Sequence, residues 1–209
     1  MKEVYVVGED SVTQGIVRRI IRDYAPDLYV KGLLPARGSE IKNKMESFNK
    51  FSLTYPVILL SDMDTDDCAP LAKANLIKGM SSQNEEFIVN IAVDEAEAWL
   101  FADIKGFAKY LGVAEEHMPQ PLEQKFGGSK KRMEMDIPLK ASYLLTHKVI
   151  VESNKKDLKE QIFAPGKACK GPEYNPALLP FIEKDWNIEE ARKNSYSLDG
   201  MIKRIQALH

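Results

Sequence analysis

Short apolar runs and stretches of helical periodicity alternate along the first half of the chain. Val4, Val6 and Val7 form a β-branched run that ends at Gly8-Glu9-Asp10, the pattern of a strand entering a loop. From Ser11 the apolar residues Val12, Ile16, Ile20 and Tyr24 recur every four positions, with Arg18, Arg19 and Arg22 between them. That spacing predicts an amphipathic helix, stopped by Pro26. Residues 28–34 read as a second strand, closed by Pro35, and Ser39 is placed to cap a helix with the stripe Ile41, Met45 and Phe48. Val57-Ile58-Leu59-Leu60 has no polar alternation, which suits a strand covered on both faces of a parallel sheet. A helix over residues 67–78, with Leu71 and Leu76 facing inward, and a fourth strand over 87–93 complete the series. Strand and helix thus alternate four times with short connections, the pattern of an α/β domain with a mainly parallel sheet.

Beyond Asp103 the texture changes. The sequence predicts only helical pieces, over residues 104–111, 137–147, 155–162, 176–185 and 198–208, with no convincing strands. Glycine-containing loops over 126–132 and 164–172 separate some of them. Without a repeat, a low-complexity tract or a long linker, the expectation is a single domain over 1–209. It has an α/β core over 1–103 and a helical elaboration over 104–209 packed on the sheet.

Composition narrows the classes without naming one. The chain has 209 residues, 44% of them hydrophobic, enough to bury a full core. Lys+Arg 29 against Asp+Glu 31 leaves a net charge of −2, so binding to a polyanion would rest on local patches. Cys68 and Cys169 are far apart and form no C-x-x-C pair, which argues against a disulfide framework or a thiolate zinc site. Three histidines are too few for a His-rich metal centre. No apolar run approaches membrane-spanning length, and the N-terminus leads into a strand without a signal-peptide core. These features predict a cytoplasmic protein.

The candidate chemistry lies at predicted strand ends. Glu9 follows the first strand, Asp62 and Asp64 the third, and Glu95 and Glu97 the fourth. In a parallel sheet those ends share one edge, where ligands of open α/β folds bind. Two carboxylates about 4 Å apart repel by roughly 4 kcal/mol at an effective dielectric near 20, which a proton or a divalent cation relieves. Hard oxygen donors favour Mg²⁺, Mn²⁺ or Ca²⁺. Plainer roles stand beside these. Glu9 could cap the first helix, Thr65, Asp66 or Asp67 could cap the third, and Asp94 with Glu97 fits a capping box that would leave Glu95 as the site residue. Trp99, beside Leu100 and Phe101, reads as core. Lys130, Lys131, Arg132, Lys167 and Lys170 lie in or beside glycine-containing loops, where phosphate contacts form, although each alone reads as solvated charge. Gly127-Gly128-Ser129-Lys130 lacks the spacing of a nucleotide-binding P-loop.

Val6-Val7-Gly8-Glu9, Leu60-Ser61-Asp62-Met63-Asp64 and the segment from Val93-Asp94-Glu95-Ala96-Glu97-Ala98-Trp99-Leu100 to Phe101-Ala102-Asp103 together resemble a Toprim domain. That is the metal-binding α/β module of topoisomerases, primases and overcoming-lysogenization-defect (OLD) nucleases. The match is to a Toprim-like family of unknown function often encoded beside AAA ATPases. Gly171-Pro172-Glu173-Tyr174-Asn175 and Ser195-Tyr196-Ser197-Leu198 resemble further family segments, while Asp94 stands where the family has arginine. The resemblance implies a Toprim-like, Rossmann-like fold and a Mg²⁺- or Mn²⁺-dependent nuclease acting on DNA or RNA. It would work with an ATPase partner in defence or repair. Glu9, Asp62 and Asp64 would hold the metal, Glu95 or Glu97 would complete its shell or act as general base, and the basic residues would contact nucleic acid. Two alternatives remain open, a non-catalytic partner of an ATPase and a receiver-like phosphoacceptor.

Overall fold

The computed structural model describes residues 1–36, 38, 40–63, 66–125, 131–165 and 170–208. They group into two compact units, Met1–Val93 with Gly200–His209, and Asp94–Asp199.

The first unit is built in the order β1 (Lys2–Gly8), α1 (Ser11–Tyr24), β2 (Leu28–Leu33), α2 (Glu40–Phe51), β3 (Val57–Asp62), α3 (Ala69–Ile77) and β4 (Phe87–Ala92). The strands form one parallel sheet in the order β2-β1-β3-β4, with Tyr5 opposite Val57 and Leu60 opposite Asn90. The fold is therefore the α/β class read from the strand–helix alternation. Its central strands carry apolar residues on both faces because both are covered. Val6, Val7, Ile58 and Leu59 are all fully buried. On one face Val7, Val57, Leu59, Phe87 and Val89 pack with Ile41, Met45 and Phe48 of α2, the stripe expected of that helix.

One inward position of α3 is corrected. Leu71 is 42% exposed, and the buried residue is Ala72, with Leu76 partly buried against the core. The helix starts at Ala69-Pro70, and this phase puts 72 and 76, one turn apart, on the inner face.

The second unit contains α4 (Ala96–Phe101), α5 (Ile104–Leu111), β5 (Pro121–Lys125), β6 (Lys131–Met135), α6 (Ala141–Leu144), α7 (Lys156–Ile162), α8 (Tyr174–Pro180) and α9 (Ile188–Asn194). A π turn, Leu145–Val149, continues α6, and another, Phe181–Asp185, continues α8. Every residue of α4 is buried, and Phe107 packs edge-on to Phe101 at 5.3 Å and beside Phe181 at 4.8 Å. The last helix, α10 (Tyr196–Gln206), begins in this unit and ends in the first. There Arg204 Nε donates to Asn90 Oδ1 at 2.7 Å.

β5 and β6 correct the all-helical expectation for the second half. They form an antiparallel pair in which Leu122 faces Glu134 and Gln124 faces Arg132. Among their described side chains, charge pairing of Lys131 Nζ with Glu123 Oε2 at 2.6 Å stands where apolar alternation would normally mark a hairpin. No described helix is long and apolar enough to cross a membrane.

Candidate functional site

In the first unit, the end of β1 separates two adjacent acids into different roles. Asp10 is the N-cap of α1. Its Oδ1 accepts from Thr13 N–H at 2.9 Å, and Thr13 Oγ1 accepts from Asp10 N–H at 3.1 Å, a reciprocal cap. Glu9 is thereby released from capping. Its Oε1 accepts from Ser61 Oγ–H at 2.8 Å and lies 3.4 Å from the Asp62 amide nitrogen, both at the end of β3. Gly8 permits the close turn from β1 into α1. A Cβ there would come within 2.6 Å of Thr13 Oγ1.

The sheet order explains why these residues meet. The connection from β1 runs to β2 on one side, and that from β3 runs to β4 on the other, so the adjacent pair β1 and β3 is the switch point of the sheet. A cavity of about 270 Å³ opens there, lined by Glu9, Ser61, Asp62 and Asp66 together with Lys42 and Asn75. Asn75 Nδ2 donates to Asp66 Oδ1 at 2.8 Å, which ties Asp66 to α3. Glu9 and Asp62, predicted from separate strands, thus line one pocket. Asp64 lies outside the described residues. Among the residues that are described, no three His, Cys, Asp or Glu side chains group closely enough to hold a metal ion.

In the second unit, Asp94, Glu95 and Glu97 are each committed to a different partner. Asp94 adopts φ 65°, a left-handed backbone uncommon outside glycine but tolerated by aspartate. The capping box expected of Asp94 and Glu97 does not form. Glu95 is the N-cap residue of α4 and makes no side-chain cap bond. Instead Asp94 Oδ2 accepts from Ala141 N–H at 2.8 Å, and Glu95 Oε2 accepts from Ser142 N–H at 2.7 Å, so the two carboxylates cap the start of α6. Lys140 Nζ lies 3.7 Å from Glu95 Oε1. Burial pushes the Asp94 carboxyl up to about 7, against the opposing effect of the Ala141 amide, and the charges of Glu95 and Glu97 add to the rise.

Glu97 is buried beside the opposite flank. Tyr174 O–H donates to its Oε1 at 2.7 Å, and Lys170 Nζ lies 3.5 Å from the same oxygen and 4.5 Å from the centre of the Tyr174 ring. Burial raises the Glu97 pKa, and the Lys170 charge and the Tyr174 hydroxyl act in the opposite sense.

The basic candidates diverge. Lys131 is paired with Glu123, the Arg132 guanidinium lies 5.3 Å from the centre of the Tyr196 ring, and Lys170 faces Glu97. Lys130 and Lys167 lie outside the described residues. A larger cavity, about 430 Å³, is lined in the second unit by Asp103, Lys105, Lys109, Tyr110 and Lys155, and holds none of the predicted site residues.

Sequence reasoning passed over Glu134. It is buried on β6, accepts from Ser197 N–H at 3.1 Å through Oε2 and from Met135 N–H at 3.3 Å through Oε1, and burial raises its pKa. Its neighbours in sequence, Arg132, Met133 and Met135, offer no pattern that would single it out.

The model of a family described as a domain of unknown function, DUF4276, matches residues 8–141. The chain belongs to the DUF4276 family. In this DUF4276 protein the matched stretch contains Glu9, Asp62, Asp64, Glu95 and Glu97, whereas Lys170 and Tyr174 lie beyond it. No protein of curated function matches the chain. Among solved structures, the DUF4276 chain is similar to the C-terminal region of the Burkholderia pseudomallei OLD protein. The identity is 15% and the TM-score 0.42, over 96% of this chain and 97% of that one.

Proposed function

We propose that this DUF4276 protein is a Toprim-type nuclease that hydrolyses phosphodiesters of DNA or RNA with Mg²⁺ or Mn²⁺, in concert with an ATPase partner. The observation that carries the reading is the convergence of Glu9 and Asp62, from neighbouring parallel strands, on one cavity at the switch point of the sheet. The donor set fits a hard cation. It is carboxylate oxygen, and Glu9 Oε1 takes the Ser61 hydrogen bond, so the second oxygen of Glu9 remains for a ligand. Glu9, Asp62 and Asp64 would hold the ion. When bound, it would supply Lewis-acid polarisation of a phosphoryl oxygen and a lower pKa for water.

The protein's own groups supply the rest. Ser61 and the Asp62 amide orient Glu9, and Lys42 brings a positive charge to the same cavity for a phosphate oxygen. As the Toprim resemblance implies, Glu95 or Glu97 would complete the metal's shell or act as general base, and burial raises the pKa of Glu97.

The test is Mn²⁺-stimulated cleavage of single- and double-stranded substrates by the wild type, Glu9→Gln and Asp62→Asn. Loss of cleavage by at least about 100-fold in both variants is expected, on the scale of removing one electrostatic contributor to catalysis. Equal cleavage by all three proteins would overturn the assignment. The non-catalytic reading draws on a separate observation, that Asp94 and Glu95 are already spent on capping α6. A protein that binds no Mn²⁺ by calorimetry yet co-purifies with an ATPase would favour it.

A further inference from the structure

The exposed side of the helical stretch that begins at Ala141 carries a pair of rings with no role in the acid cluster. Tyr143 and His147 stack face to face, with ring centres 3.9 Å apart and planes 12° from parallel. His147 lies within the π turn Leu145–Val149, and such turns recur at functional sites. The imidazole is held from below. His147 Nδ1 lies 2.8 Å from Thr146 Oγ1 and 3.2 Å from the Tyr143 carbonyl oxygen, and a proton on Nδ1 serves both. Phe163 meets the imidazole edge-on at 5.9 Å.

With His147 covering one face, Tyr143 still has 45% of its surface exposed, and Leu139, in the bend before the helix, is 46% exposed. An i, i+4 ring pair stabilises a helix by only a few tenths of a kcal/mol. That accounts for the stack but not for a supported aromatic ring left open to solvent.

The surroundings supply cations. Lys140 is three residues before Tyr143, and its Nζ lies 3.7 Å from Glu95. Phe163, against His147, pairs across a β-bridge with Lys170, whose Nζ lies 3.5 Å from Glu97. Both lysines are half-exposed, each faces a carboxylate, and both lie in the same unit as the rings.

We infer that the Tyr143–His147 stack is a platform for an unpaired base of a single-stranded nucleic acid, with Lys140 and Lys170 receiving its phosphates. Aromatic side chains accept bases that are unstacked, whereas bases inside a duplex have their faces covered. The lysines complement the polyanion, and they would bring the phosphodiester next to a stacked base towards Glu95 and Glu97. The inference rests on the nuclease reading for its biological sense, and it narrows the substrate to single strands.

Fluorescence anisotropy with a short labelled oligodeoxyribonucleotide, single-stranded or annealed to its complement, tests this in EDTA, where catalysis plays no part. The wild type should prefer the single strand. Tyr143→Ala should weaken that binding by roughly 5- to 100-fold, the range of one base–aromatic stack, while Tyr143→Trp should retain it. Tyr143→Leu keeps apolar surface without a ring and should behave like the alanine variant.

Wild-type affinity in Tyr143→Ala, full retention in Tyr143→Leu, or no single-strand binding by the wild type would each overturn the inference. Retention in the leucine variant would mark the patch as an apolar protein contact. The two readings fail separately. A protein that binds single strands through Tyr143 but never cleaves them sinks only the nuclease, and one that cleaves with indifference to Tyr143 sinks only the platform.

Discussion

Trp99 Nε1 donates a hydrogen bond of 2.8 Å to Ser197 Oγ, a residue 98 positions away in sequence. Both are buried, and Ser197 also donates its backbone N–H to Glu134 while its hydroxyl lies 3.1 Å from that of Ser195. Ser197→Ala removes the acceptor from a buried indole N–H and loosens the shell around a buried carboxylate. The expected cost is about 1–3 kcal/mol, the penalty for an unsatisfied buried polar group. A urea titration followed by tryptophan fluorescence measures it, and an unchanged midpoint would show that the bond contributes nothing net.

Asp94 makes stability depend on pH in a defined direction. Its carboxyl is raised from 3.8 to about 7 in the folded protein, so the folded state holds the proton more tightly than the unfolded chain. The stabilising contribution is complete below the unfolded value and is lost as pH rises through the folded one. Asp94→Asn keeps an acceptor for Ala141 N–H, tolerates the left-handed φ and cannot ionise. It should match the wild type at pH about 4 and exceed it at pH about 8, because the raised pKa values of Glu97, Asp103 and Glu134 are common to both proteins. Paired urea titrations at the two pH values decide it. Parallel curves would mean that Asp94 does not titrate between them.

Gly171 allows two backbones to approach. A Cβ there would lie 2.1 Å from the Gln161 carbonyl oxygen, while Gly171 N–H donates to the Ile162 carbonyl at 2.8 Å. Gly171→Ala should destabilise the protein by about 1–3 kcal/mol through this clash. It should also disturb Lys170 and Tyr174, which flank Glu97. Thermal unfolding reads the first effect, and amide chemical-shift changes confined to residues around 97 and 170–174 read the second.

The phase of α3 is open to a simple contrast. Leu71→Lys, at an exposed site, should change stability by no more than about 0.5 kcal/mol. Ala72→Leu, one position along, should cost about 1–3 kcal/mol by overpacking a buried site. Reversed effects would mean that Leu71 faces the core.

The parallel sheet could be read from sequence because its signal is local. Val57-Ile58-Leu59-Leu60 needs no partner to declare a strand covered on both faces, and Ile41, Met45 and Phe48 declare their own helix face. The meeting of Glu9 with the end of β3 was approachable by the same route, since parallel strands share an edge. The helical spacing around Leu71 was legible, but its phase depended on where Pro70 lets the helix begin. β5 and β6 were not legible, because the one apolar alternation, Met133 and Met135, is too short and charged or polar residues fill most other positions of the pair. The hydrogen-bond partners of Asp94, Glu95 and Glu97 lie 47 to 77 residues away, and no local pattern encodes contacts at that range.

The commitment of Asp94 and Glu95 to the first amides of α6 has an electrostatic consequence for any polyanion. Free backbone N–H groups at a helix start attract phosphate, yet here two side-chain carboxylates already occupy them. An incoming phosphate at that helix start would meet a resident negative charge, and could engage the Ala141 and Ser142 amides only by evicting it. If a strand binds near α6 as inferred, ammonium groups and ring faces would grip it in place of helix-start amides, a form of attachment that salt weakens readily.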